Sequence, residues 1–106
     1  MKKDVIDYLV TAMGLTMEDT PELYESFIGS FADCVGDLRA MPDYTDFMAI
    51  RRVTHTLIGF SQNVGAQDLF EAARALNLCA KAEDSDGCAR AAQAIFDLYA
   101  AYRAEN

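Results

Sequence analysis

The sequence predicts an all-α fold, an antiparallel up-down four-helix bundle with a short N-terminal helix capping one end. Three observations predict it. Hydrophobic residues fill 52% of the 106 positions, and only six Gly and two Pro interrupt them. Alanine is abundant and β-branched residues are sparse, which favours helix over strand. Apolar residues recur at helical spacing through four long stretches, and the short polar breaks between those stretches force antiparallel neighbours. A chain of this length supports one hydrophobic core, so residues 1–106 are expected to form a single domain.

Each element is read from its stops. A short first helix is expected from Asp4 to Met13, with Ile6, Leu9, Val10 and Met13 on one stripe and Gly14 ending it. Thr20-Pro21 opens the second, with Thr20 as the cap and Pro21, which has no amide to waste, at the first helical position. Its stripe is Leu23, Phe27, Phe31, Val35 and Leu38, widened by Tyr24 and Ile28, and Met41-Pro42 closes the segment. Asp43 is the expected cap of a third helix, Tyr44 to Val64, which Gly65 stops. The fourth begins near Gln67 and carries Leu69, Ala72, Ala73, Leu76 and Ala80. After the polar break Glu83-Asp84-Ser85 the fifth carries Cys88, Ala91, Ile95, Leu98, Tyr99 and Tyr102.

Composition excludes several function classes. Nine Lys and Arg against seventeen Asp and Glu leave a net charge of −8, which repels a phosphate backbone, so nucleic acid is not an expected partner. No apolar run approaches the ~18 residues of a membrane span. The opening Met1-Lys2-Lys3-Asp4 lacks a signal-peptide apolar core, so a cytoplasmic location is expected. Cys34, Cys79 and Cys88 are odd in number and include no CxxC pair, which suits buried small hydrophobes better than a disulfide framework or a zinc site. Cys79 and Cys88 flank a turn and can approach each other.

The third helix carries the chemistry. At about 100° per residue, Ile50, Val53, Leu57, Phe60 and Val64 fall within about 40° of the direction opposite His55. They form the core stripe, and the single histidine of the chain points away from it at mid-helix. Met48, Arg51, Arg52, Ile58, Gly59 and Gln62 share its face. Gly59 lies one turn beyond His55, where glycine costs roughly 0.5–1 kcal/mol relative to alanine. A close helix crossing would explain it, but Gly59 faces solvent with His55, which favours open access beside the imidazole. A metal- or haem-binding bundle would draw several ligands inward, and one outward histidine with no Glu-x-x-His pair does not supply them.

The stretch Thr54-His55-Thr56-Leu57-Ile58-Gly59, followed by Val64-Gly65-Ala66 and Leu69, resembles the histidine-containing phosphotransfer (HPt) family. The signature is a histidine, a leucine two later, a glycine four later and a second glycine ten later, matched by His55, Leu57, Gly59 and Gly65. The similarity runs from the aromatic-bearing second helix to the fifth. It implies that His55 accepts a phosphoryl group from a receiver-domain aspartyl phosphate and passes it to another receiver aspartate. The implied partners are response-regulator receivers, a hybrid histidine kinase, or both. The resemblance implies no cofactor of the chain's own, with Mg²⁺ expected on the receiver.

Family members usually carry lysine three residues after the histidine, where this chain has Ile58. Arg51 and Arg52 are the cations available on the helix to replace it, although both also suit an ordinary solvated face. Met48 and Ile58, with Gln62, read as an adaptable receiver-docking patch. The chain has no glycine-rich phosphate cradle, no Walker-type lysine and no nucleotide-binding βαβ pattern, so autophosphorylation from ATP is not expected. A degenerate interaction module, docking a receiver or kinase without phosphotransfer, is the alternative reading.

Overall fold

The computed structural model describes residues 2–16 and 18–105. They form five helices: α1 (Lys2–Thr11), α2 (Thr20–Arg39), α3 (Phe47–Asn63), α4 (Gln67–Lys81) and α5 (Ser85–Ala104). The last four close a bundle in which α3 packs on α2 and α4, and α5 packs on α4 and α2. No helix among the described residues is long and apolar enough to cross a membrane.

The helix ends show why the chain turns where it does. Gly65 takes φ +69° after α3, and the Ala66 and Gly65 amides bond back to the carbonyls of Ser61 and Gln62 at 2.8 and 3.2 Å. That pair of bonds satisfies the last carbonyls of the helix and reverses the chain. The α4–α5 turn repeats the pattern without glycine. Glu83 sits at φ 53°, with Asp84 N–H on Cys79 O at 3.0 Å and Glu83 N–H on Ala80 O at 3.1 Å. Asp84 then caps α5 by accepting from the Gly87 amide at 3.0 Å.

Three helix starts differ from the sequence-based expectation. The first helix begins at Lys2 and buries Val5 and Leu9, while Ile6 and Val10 are half-buried and Met13 is exposed. Thr20 is not the cap of α2. Asp19 precedes the helix without a side-chain cap bond, because the chain is already wound there by the Thr20 amide on Thr16 O at 3.2 Å. Pro21 is therefore the second helical residue. Asp43 does not start α3. Tyr44 adopts φ 56° and packs against the core, which delays the helix to Phe47, and Asp46 caps it by accepting from the Ala49 amide at 3.1 Å. Val64, expected inside the helix, is its C-cap.

The core is aromatic at the end nearest α1. Phe27 and Phe31 of α2 meet Phe60 of α3 at 5.8 and 6.5 Å and Tyr102 of α5 at 5.4 and 6.1 Å between ring centres. Such pairs add about 0.5–1.5 kcal/mol each beyond simple burial. The Tyr24 hydroxyl donates to Tyr102 O at 3.2 Å, and the Tyr102 hydroxyl donates to Asp68 Oδ1 at 2.7 Å, so both buried phenols are paired. Leu23 is not in this core. It stays exposed, and Tyr24 takes the position expected of it. The short α1 covers this end: Tyr8 lies where a side chain at Gly65 would go, and the Lys2 ammonium stands 5.0 Å from the centre of the Tyr24 ring. Cys34 and Cys88 are buried as expected, and Cys79 is half-buried.

Candidate functional site

Helix α3 buries Ile50, Val53, Thr54, Leu57 and Ser61, and only partly buries Phe60 and Val64. The buried sector is thus turned by about 40° towards α4 from the expected stripe. Two polar residues enter it, each with its hydroxyl satisfied. Thr54 Oγ1 lies 2.9 Å from Arg51 O and 3.0 Å from Asn77 Oδ1 on α4, and Ser61 donates to Ile58 O at 3.1 Å. Small side chains on the facing helix, Ala73 and Ala80, are fully buried and allow α3 and α4 to lie close.

His55 remains on the opposite side, exposed at mid-helix, and its imidazole makes no hydrogen bond to another described residue. It lines an open depression with Met48, Arg51, Arg52, Thr56 and Ile58 of α3 and with Asn77 and Lys81 of α4. Three of its eight lining residues are cations and none is a carboxylate, in a chain of net charge −8. The positive field is therefore local, and it surrounds the only imidazole. Arg52 also lines the neighbouring groove towards α2, where Asp33 and Asp37 stand. By its helical angle Arg51 leans to the α4 side and Arg52 to the α2 side.

Gly59 is exposed, and a β-carbon added there would meet nothing within 4 Å. No crossing helix requires the glycine, so the packing explanation fails and the space beside His55 is open. Gln62 is exposed one turn further along the same face but does not line the depression. Met48 is 61% exposed, an unusual position for a methionine without a partner, whereas Ile58 is half-buried against the core edge.

Thr56, Asn77 and Lys81 belong to the depression and were missed from sequence. Reading each helix separately cannot say which flank of α4 adjoins His55. The turn at Gly65 supplies a signal, because an antiparallel hairpin pairs residues at similar distances from it. Thr54 lies 65 − 54 = 11 residues before Gly65, and Asn77 lies 77 − 65 = 12 after it. Four residues beyond Asn77, Lys81 is brought level with the Arg51 turn.

The depression holds a nucleophile, a cationic lining and an exposed apolar rim, an arrangement able to receive a phosphoryl group presented by another molecule. Among the described residues, no group of three or more His, Cys, Asp and Glu is placed to hold a metal ion. No curated protein and no solved structure was found to match the chain significantly. A family model described as Hpt domain matches residues 22–105, a span that takes in nearly all of α2, the whole of α3 and α4, α5 to its end, and every residue lining the depression. With a match of that extent, and a helical bundle presenting its one histidine outward, the chain belongs to the Hpt domain family.

Proposed function

We propose that this chain is a phosphorelay intermediate and that His55 is its phosphoacceptor. The observation that carries the reading is the exposed His55 imidazole in a cation-lined depression beside the open space at Gly59. Family membership supports a phosphotransfer-related module of two-component signalling, in which Hpt domains interact with receiver domains and kinases. The partners are response-regulator receivers, a hybrid histidine kinase, or both, and the chain works in the cytoplasm.

The unprotonated ring nitrogen of neutral His55 attacks the phosphorus of a receiver's aspartyl phosphate in line. A P–N bond forms while the P–O bond to the aspartate breaks, and that electron pair returns to the carboxylate. The proton on the other ring nitrogen leaves to water. The reverse exchange delivers the group to a second receiver's aspartate. Such transfer depends on alignment and on neutralising the equatorial oxygens, with little covalent help from the protein. Arg51 and Arg52 contribute positive charge, Gly59 leaves the approach clear, and Met48, Ile58 and Gln62 form the rim that meets the receiver. Mg²⁺ belongs to the receiver, and this chain needs no cofactor of its own.

One observation favours the alternative, a module that docks without transfer: the position where the family usually carries lysine is Ile58, half-buried and apolar. Incubation with a phosphorylated receiver and assay of acid-labile label separates the two. Label moving onto the chain supports the relay. Stable complex formation without label supports the docking module.

A further inference from the structure

We infer that Lys81, on the neighbouring helix α4, is the residue that neutralises a phosphoryl group on His55, in place of the lysine absent at position 58. The inference rests on the phosphoacceptor reading of His55 and adds the chain's own solution to its missing charge. Three observations carry it. Lys81 lines the depression directly with His55, and it comes from a different helix than the two arginines. Its placement is fixed from below: Asn77, one turn earlier on α4, meets the buried Thr54 at 3.0 Å, and Thr54 adjoins His55 in sequence. That contact sets the rotation of α4 against α3, so the α4 residue one turn on is presented to the depression.

The third observation is the setting of the competing cations. Arg52 borders the acidic groove of Asp33 and Asp37, whose carboxylates offset its charge. Arg51 and Lys81 line the depression, which has no carboxylate among its lining residues. Ile58 leans to the α4 side of His55 by its helical angle, so the charge missing at that position is missing where α4 can supply it. The charged groups lining the site are Arg51 and Arg52 from α3 and Lys81 from α4. An ammonium there favours the dianionic over the monoanionic phosphoryl group and stabilises the charge spread over its oxygens during transfer.

The test uses phosphoramidate, a small donor whose P–N bond to ammonia is exchanged for one to the imidazole. Wild type, Lys81→Gln, Lys81→Arg and the double variant Lys81→Gln with Ile58→Lys are labelled, and the bound phosphoryl group is titrated by ³¹P NMR. Transfer from a phosphorylated receiver is measured in parallel. The second ionisation of the phosphoryl group should move to higher pH in Lys81→Gln, and receiver transfer should fall about tenfold. Lys81→Arg should stay within a few-fold of wild type, and Ile58→Lys should recover most of the loss, with melting unchanged in the two single variants at the exposed Lys81. If His55 takes the label and Lys81→Gln titrates and transfers as wild type does, the role of Lys81 is overturned while the phosphoacceptor reading stands. If His55 takes no label from either phosphoramidate or the receiver, both fall together.

Discussion

Replacing Gly59 should move stability and activity in opposite directions. The glycine is helical and exposed, and a β-carbon there meets nothing within 4 Å. Alanine therefore adds no clash and removes the excess backbone entropy of glycine, for a gain of about 0.5–1 kcal/mol. For a domain of this size a gain of that order raises the melting temperature by about 2–6 °C. Leu or Gln at the same position also fits the helix, but each projects beside His55, because residues four apart are neighbours on a helix. Transfer should survive Gly59→Ala in large part and fall by at least tenfold in Gly59→Leu, as a misplaced approach does in reactions governed by alignment. Thermal melts and receiver transfer on the same purified variants test this. Loss of several kcal/mol in Gly59→Leu, with transfer preserved in the protein that remains folded, would show that the glycine serves packing rather than access.

Further outcomes are expected from the same geometry. Arg51→Ala with Arg52→Ala should slow transfer several-fold, with Ile58→Lys restoring part of it; a wild-type rate in the double variant contradicts any role for the two arginines. Glu83 holds φ 53° at the α4–α5 turn, so Glu83→Gly should stabilise the fold by about 0.5–1 kcal/mol in thermal melts, and a loss of stability would refute the strain argument. Burial, and then the charge of Glu105, push the Tyr24 phenol up to about 12; burial, and then Asp37 and Asp33, push the Cys34 thiol up to about 11. Tyr102 is raised further still, by burial and then by its bond to Asp68. The folded chain keeps these protons above the ordinary values of ~8.5 for thiols and ~10 for phenols, while the unfolded chain releases them. Stability should therefore be full below about pH 8.5 and decline as pH rises towards 12. Denaturant midpoints that stay flat across that range would contradict the burial of these groups.

The helices themselves were legible because their apolar periodicity is strong and their stops are chemically distinct. Gly14 and Gly65 both take φ +69°, as residues chosen for left-handed turns should. Starts were less legible where several cap-forming residues lie close together. Between Pro42 and Phe47 the chain offers Asp43, Thr45 and Asp46, and only the packing of Tyr44 against the core selects the last. Of the stripe expected on α1 only Leu9 is fully buried, with Val5 beside it, because a short helix lying on the bundle end is buried along a narrow line.

The site divided along the same boundary between local and non-local information. The outward direction of His55 and the faces of Met48, Arg51, Arg52 and Ile58 follow from one helix's geometry, and the depression gathers all five. Asn77 and Lys81 depend on how α4 is rotated against α3. That rotation is set by a threonine which hydropathy places outside the core. Thr54 is nevertheless fully buried, because its hydroxyl finds partners on both helices.

The central claim, that His55 takes the phosphoryl group, is tested most directly by locating the label. Wild type and His55→Gln are incubated with one phosphorylated receiver, and the phosphorylated residue is mapped by mass spectrometry under alkaline conditions that preserve phosphohistidine. The His55 side chain is exposed and its imidazole is hydrogen-bonded to no described residue, so His55→Gln should melt within about 0.5 kcal/mol of wild type. One acid-labile phosphoryl group is expected on His55 of the wild type and none on the variant. Equal labelling of both proteins, or no label on a wild type that binds the receiver, would contradict it.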